Sequence, residues 1–367
     1  MRDFSEAPFL VIWEVTQACD LACRHCRASA QPERHPAELS REEGYALIRQ
    51  IREFGDPLLV FTGGDPLKRA DLFELLEASV GAELRTTITP SATPLLTAEA
   101  VRRFREAGVA RMAVSLDGAD AAQHDGFRGV EGSFRITLEA LRAARDCGLE
   151  TQVNTTVTRR NLDSLDRIAA LVRDAEARLW SVFFLVLTGR AQLEDDLSAE
   201  EYEQVFQHLY RISLTAPFDI KTTEAQHYRR YVAQQRKAGG AAPGGKAKGA
   251  IARQAGINDG KGLLFISHTG EIYPSGFLEI SAGNVRSVSL AEAYRNSRLF
   301  RVLRNGDALG GKCGVCEYRN LCGGSRSRAW AITGDFLAPD PRCSYVPAGF
   351  AAGAAPSVRS GSRSAAI

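Results

Sequence analysis

From Phe9 to Ser213, short apolar runs alternate with longer stretches whose apolar residues recur every three or four positions. The runs Phe9–Thr16, Pro57–Thr62, Arg85–Thr89, Ala110–Leu116, Thr151–Thr158 and Leu179–Leu187 read as strands, being rich in β-branched and aromatic residues. The stretches Ser40–Phe54, Ala70–Val80, Thr97–Ala107, Ser133–Cys147, Leu162–Ala175 and Ser198–Ser213 read as helices. Ser40 with Glu43 forms a capping-box pattern, and Gly108 and Gly148 stop two of these helices. In the last helix Tyr202, Val205, Phe206, Leu209 and Ile212 share one face.

Strands alternating with helices predict an α/β fold of parallel βαβ units with right-handed crossovers. A run as apolar as Val182–Leu187 fits a sheet covered on both faces. An open sheet and a barrel both satisfy this pattern, and in both the ligands sit at the carboxyl ends of the strands. Beyond Ser213 the periodicity weakens. Pro217–Lys237 reads as a linker with some helical pattern, and Ala238–Ala250 (AGGAAPGGKAKGA) as a mobile loop that cannot bury a core. Leu263–Pro274 predicts a hairpin around Thr269-Gly270, Leu290–Leu303 a helix, and the residues from Ala348 a small, basic, structureless tail.

At 367 residues the chain can hold one large core plus a smaller module. Its 44% hydrophobic and 25% charged residues are ordinary for a globular protein, and a net charge of +2 points to neither nucleic acid nor membrane. Phe9–Trp13 and Val182–Leu187, the longest apolar runs, are far too short to span a bilayer. Met1–Ala7 is charged and lacks a signal-peptide core. Eight cysteines, all but Cys147 in close clusters, argue for a reducing cytoplasm and metal binding over disulfides.

The chemistry concentrates in those cysteines. Cys19, Cys23 and Cys26 follow the first strand in a Cys-x3-Cys-x2-Cys spacing. Three thiolates on one loop can hold three corners of an iron–sulfur cluster, and soft sulfur ligands select such clusters or zinc. With no fourth Cys nearby, one iron keeps an open position for a small molecule. Cys313-x2-Cys316-x5-Cys322, with Cys343 another 20 residues beyond, can close a zinc ribbon or a fully ligated cluster. At the other strand ends, Gly63-Gly64-Asp65-Pro66 is either a turn or a backbone cradle whose carbonyls accept from an ammonium group. Ser115, Asp117, Asn154 and Thr156 either cap helices or meet the hydroxyls of a ribose. Arg190, in Thr188-Gly189-Arg190-Ala191, faces either a ligand carboxylate or a surface acid such as Glu194. His124, His208 and His227 lack ligand spacing and read as surface or packing residues.

The triad Cys19, Cys23, Cys26 after a first strand resembles the signature of the radical S-adenosylmethionine (radical SAM) enzymes, with Asp20 where Asn is frequent and His25 where another aromatic is usual. The resemblance implies a partial (β/α)6 barrel over residues 1–218 and a 4Fe–4S cluster whose open iron chelates SAM. In that family an electron from the cluster cleaves the sulfonium to methionine and a 5'-deoxyadenosyl radical, which abstracts hydrogen from substrate. Gly63, Gly64 and Asp65 are similar to the family's Gly-Gly-Glu-Pro, which contacts the methionyl amine. Ser115, Asp117, Asn154 and Thr156 fall where members hold ribose and carboxylate, and Gly189 and Arg190 resemble a Gly-Arg-Ala turn of the peptide- and haem-modifying branch.

The C-terminal region resembles the SPASM module, which tips Cys313, Cys316, Cys322 and Cys343 toward an auxiliary 4Fe–4S cluster over zinc. Arg326 and Ser275 stand where further cysteines are common, so the resemblance implies one auxiliary cluster, fully ligated and left to electron relay or scaffolding. The expected organisation is the barrel, a linker over 219–262, the SPASM-like domain over 263–347 and the tail over 348–367. The expected function is that of a cytoplasmic oxidoreductase with SAM and two clusters, reduced by flavodoxin or ferredoxin, acting on a peptide or a haem-precursor tetrapyrrole. Neither nucleic acid nor membrane is an expected partner. Carboxylates of a tetrapyrrole could meet Arg128, Arg159, Arg160 or Arg190, and with only Met1–Pro8 ahead of the first strand no peptide-recognition domain is evident. The rival readings are a two-cluster electron carrier that does not bind SAM and a zinc-stabilised binding protein.

Overall fold

A computed structural model describes residues 3–242, 256–348 and 350; most of the glycine-rich loop and of the C-terminal tail lies outside the described residues. Seven parallel strands run β1 Leu10–Glu14, β2 Leu58–Thr62, β3 Arg85–Ile88, β4 Arg111–Ser115, β5 Thr151–Val157, β6 Leu179–Phe184 and β7 Asp219–Thr223. They lie side by side in chain order, β7-β6-β5-β4-β3-β2-β1, without the reversal that marks a doubly wound sheet. Winding in one direction curls the sheet into an open barrel. The outer face is covered by α1 Arg41–Arg52, α2 Leu72–Gly81, α3 Ala98–Glu106, α5 Ser133–Asp146, α6 Leu165–Asp174 and α7 Ala199–Ser213, while α4 Ala121–Arg128 packs on α5 and supplies His124 and Arg128 to the pocket at the carboxyl ends of the strands. The apolar stripes of these helices and the outward residues of the strands make one core around Trp13, Phe61, Phe104, Trp180 and Phe206.

Local chemistry sets the element boundaries. Ser40 and Glu43, and likewise Ser198 and Glu201, form reciprocal capping boxes at the starts of α1 and α7. Along β5 the buried residues alternate with half-buried Gln152, Asn154 and Thr156, which therefore share the inner face of the barrel.

Four elements depart from the sequence expectation. The segment 217–237 is not a linker: it supplies β7, which pairs in parallel with β6, and then α8 His227–Lys237. The helix α4 was not expected. The stretch Leu290–Leu303 is two helices, α9 Leu290–Asn296 and α10 Arg298–Arg304, because Ser297 turns extended and caps the second. The expected hairpin is β8 Leu263–Ile266 with β9 Ile272–Tyr273, but β8 also pairs in parallel with β1, in register from Leu10↔Leu263 to Trp13↔Ile266. Short helices α11 Gly311–Gly314 and α12 Arg326–Thr333 follow.

Candidate active site and cysteine cavities

The carboxyl ends of β2, β4, β5 and β6 open into a pocket of about 230 Å³. Cys19, Cys23 and Cys26 line it together with Gly63, Gly64, Ser115, Asn154, Thr156 and Arg190. Each of the three sulfurs has a donor nearby: Leu21 N–H to Cys19 at 3.4 Å, the Arg128 guanidinium to Cys23 at 3.6 Å, and Ala30 N–H to Cys26 at 3.4 Å. Burial pushes the Cys19 and Cys23 thiols above their ordinary range, so these sulfurs ionise fully only when a cation arrives. Soft ligands and a donor aimed at each sulfur fit an iron–sulfur group.

The cysteine loop is fixed from three sides. Glu38 accepts from Thr16 Oγ1 at 2.7 Å and from Gln17 N–H at 3.0 Å. Gly64 N–H and Asp65 N–H donate to Thr16 O and Ala18 O at 2.8 and 2.6 Å. A Cβ on Gly63 or Gly64 would come within 3.0 Å of those backbone oxygens, and one on Gly189, where φ is +59°, would do the same at Cys26 O and Arg27 O. The glycines thus let neighbouring loops close on the cysteine loop, while Gly63 and Gly64 also face the pocket. The third support is Arg27, which donates to Glu14 at 2.5 Å and lies 4.7 Å over the Phe265 ring. His268 Nδ1 reaches the other oxygen of Glu14 at 2.7 Å, so one carboxylate clasps the cysteine loop to the C-terminal hairpin.

Three residues singled out in the sequence do not line the pocket. Asp65 is fully buried and accepts from Leu67 N–H, Ser91 N–H and Thr93 Oγ1, holding the loop that follows β3. Asp117 is buried behind Arg128, bonding its guanidinium at 2.7 Å and Thr156 N–H at 2.6 Å. Gly189 packs against the cysteine loop.

Two further lining residues were not expected to face the site from the sequence. His25 stacks on Phe127 with ring centroids 4.3 Å apart, and burial drives its pKa down to about 3. His124 accepts from Asp117 N–H at 3.1 Å, and burial lowers it to about 4. His124 was read as surface or packing; it is buried and lines the pocket, whereas His208 sits beside Asp166 and Arg211 near the surface. His25 holds the aromatic position of the cysteine signature, but His124 sits at no recognisable spacing, and α4, which positions His124 and Arg128, has no clear apolar stripe to announce it.

A second cavity is lined by Cys313, Cys316, Cys322 and Cys343, with His227, Arg230 and Lys312 around them. Gly324 N–H points at Cys322 Sγ at 3.4 Å, and burial raises both Cys322 and Cys343, the latter to about 11. Among the described residues no three Cys, His, Asp or Glu side chains gather closely enough for a single metal ion.

Residues 13–172 match the radical SAM superfamily. The chain is 43% identical over 349 residues, 95% of each protein, to the AdoMet-dependent heme synthase of Nitratidesulfovibrio vulgaris. It is 28% identical to the Fe-coproporphyrin III synthase of Methanosarcina barkeri, across 91% of this chain and 87% of that protein. Its fold superposes on Streptococcus suis SuiB bound to S-adenosylmethionine with a TM-score of 0.72 and 16% identity, covering 93% of this chain and 78% of the other. The chain belongs to the radical SAM superfamily. Within it, the chain is an enzyme of the SPASM/twitch-type branch, with a partial barrel followed by a C-terminal domain; the superfamily uses SAM and a 4Fe–4S cluster. Among the described residues no helix is long and apolar enough to cross a membrane.

Proposed function

We propose that this enzyme acts in haem synthesis, abstracting hydrogen from a carboxylate-bearing side chain of a haem-precursor tetrapyrrole. The observation that carries the reading is the lining of the pocket: Arg27, Arg128 and Arg190 face it, Arg190 without a carboxylate partner among the described residues, and no carboxylate is among the described lining residues. A substrate with several carboxylates and a flat apolar face suits that lining, which also includes Phe183, Leu185, Val186 and Phe277. The similarity to a heme synthase over 95% of both chains supports the same substrate class.

Cys19, Cys23 and Cys26 would hold a cluster with one open iron, leaving room for SAM beside Gly63, Gly64, Ser115, Asn154 and Thr156. Bound together, SAM and cluster supply a one-electron reductive cleavage that yields the hydrogen-abstracting species. Asp117 fixes Arg128 toward Cys23, Thr156 and Asn154 present polar groups on one strand face, and the apolar lining excludes water from a reactive site.

The second cavity would hold one auxiliary 4Fe–4S cluster on Cys313, Cys316, Cys322 and Cys343. Room for a further cluster is taken up by Arg326, whose guanidinium donates to Phe336 O at 2.9 Å and Ala338 O at 2.7 Å, and by the Ser275–Ser327 hydroxyl pair at 3.1 Å. Eight unpaired thiols suit a reducing cytoplasm, where flavodoxin or ferredoxin would supply the electron.

Anaerobic reconstitution followed by metal and 5'-deoxyadenosine analysis tests the proposal. It expects about eight iron and eight sulfide per chain and SAM cleavage stimulated by a carboxylated tetrapyrrole. Two equivalents of zinc, or iron without SAM cleavage, would reject the radical enzyme; cleavage stimulated by a peptide alone would reject the tetrapyrrole.

A further inference from the structure

Three guanidiniums face the pocket, and they differ in how their charge is met. Arg27 is paired with Glu14 and Arg128 with Asp117. Arg190 has no carboxylate partner among the described residues, and its buried Nε and Nη2 atoms make no hydrogen bond. Glu194, the sequence neighbour that might have taken it, lies 3.7 Å from Arg160 instead. Arg159 and Arg160 are spoken for outside the pocket, by Glu201 and Asp195. A cation whose donors are sheltered from water and unpaired is costly to keep, so the site leaves it for an anion that arrives with a ligand.

Carboxylates of two origins would meet in this pocket, the single one of the cofactor and the several of the substrate. The first would lie beside the thiols that hold the cluster, where Arg128 stands 3.6 Å from Cys23 Sγ with its charge already balanced by Asp117. Arg190 follows β6, whose end gives the pocket Phe183, Leu185 and Val186. Its main chain is pinned in place, Arg190 N–H donating to Cys26 O at 3.0 Å. A flat macrocycle laid against that apolar lining brings a peripheral carboxylate toward the turn.

We infer that Arg190 binds a carboxylate of the tetrapyrrole substrate and so helps select carboxylated macrocycles. This rests on the tetrapyrrole reading of the pocket. The assignment makes Arg190 a specificity determinant, separate from the groups that hold SAM.

The test uses reconstituted, SAM-loaded protein under anaerobic conditions, with metal-free coproporphyrin as the probe and its fluorescence as the signal. Arg190→Gln should weaken coproporphyrin binding by about 10- to 100-fold, the range for a hydrogen bond to a charged group. Arg190→Lys should recover part of the loss, and the tetramethyl ester of the probe should bind wild type and R190Q alike. Equilibrium dialysis with labelled SAM should give the same affinity, within about twofold, for both proteins. A fall in SAM affinity with coproporphyrin binding untouched overturns the inference and assigns Arg190 to the cofactor. Equal coproporphyrin binding by wild type and R190Q overturns it as well. Wild-type protein that ignores coproporphyrin altogether overturns the tetrapyrrole reading on which it stands.

Discussion

Replacing Gly189 by Ala tests how closely the turn after β6 must approach the cysteine loop. Gly189 has φ +59°, and a Cβ there would come within 3.0 Å of both Cys26 O and Arg27 O. An L-residue in the left-handed region costs roughly 1–2 kcal/mol before any contact is counted. To make room the turn must also retreat from Cys26, which breaks the 3.0 Å bond from Arg190 N–H to Cys26 O at a further cost of about 1 kcal/mol. Together these come to about 2–3 kcal/mol against the closed loop, roughly a 30- to 150-fold drop in its population. The control is Gly148→Ala: φ is +69° there too, but nothing lies within 4 Å of the added methyl. After anaerobic reconstitution, G189A should hold about half the wild-type iron and sulfide, the share of the auxiliary site, and lose SAM cleavage. G148A should keep full iron and show only a lower thermal midpoint. Full iron with an unchanged reduced-cluster EPR signal in G189A, or equal iron loss in G148A, would refute the reasoning.

Glu14 offers a pH test. Burial by itself would raise its pKa, but Arg27 and His268 outweigh that and hold it near 2, against an ordinary 4.5. A depressed carboxylate stabilises the fold above its unfolded pKa, here by ~3 kcal/mol, and the contribution fades as pH falls from 4.5 to 2. Glu14→Gln should lower the thermal midpoint at pH 7 and flatten the acid limb of stability over that window; an unchanged acid limb counts against the clasp. Cys343→Ser should remove about half of the iron while leaving SAM binding intact, and loss of zinc instead of iron would reverse the assignment of that cavity. Asp65→Ala should destabilise the protein by about 2–4 kcal/mol, because three donors on Leu67, Ser91 and Thr93 lose their acceptor at once. Thr93→Ala, which removes one of the three, should cost visibly less in the same denaturation assay.

What could be read in advance was what is written locally. The apolar runs of β1 and β6, the capping boxes of α1 and α7 and the spacing of both cysteine sets are properties of a few adjacent residues. The strand β7, DIKTT, offers only one fully buried residue, and its pairing with β6 settles what its own sequence leaves ambiguous. The parallel pairing of β8 with β1 joins residues some 250 positions apart, a relation no local pattern encodes. Asp65 shows the same limit within the site. A carboxylate next to two glycines at a strand end reads as a ligand contact, yet its chemistry is spent on three loop donors behind the wall. Arg27, Glu14 and His268 come from three separate segments, so their clasp is visible only once the chain has folded.

The continuity of β1 with β8 has a consequence for electron traffic. The strand that delivers the cysteine triad and the strand that begins the C-terminal half are hydrogen-bonded members of one sheet. Were both sulfur-lined cavities to hold clusters as proposed, the gap an electron would cross between them would be fixed by that pairing, not by a hinge. A chain stopped ahead of Leu263 should behave not as a leaner catalyst but as a sheet with Leu10–Trp13 laid bare along its margin, prone to stick to its own copies.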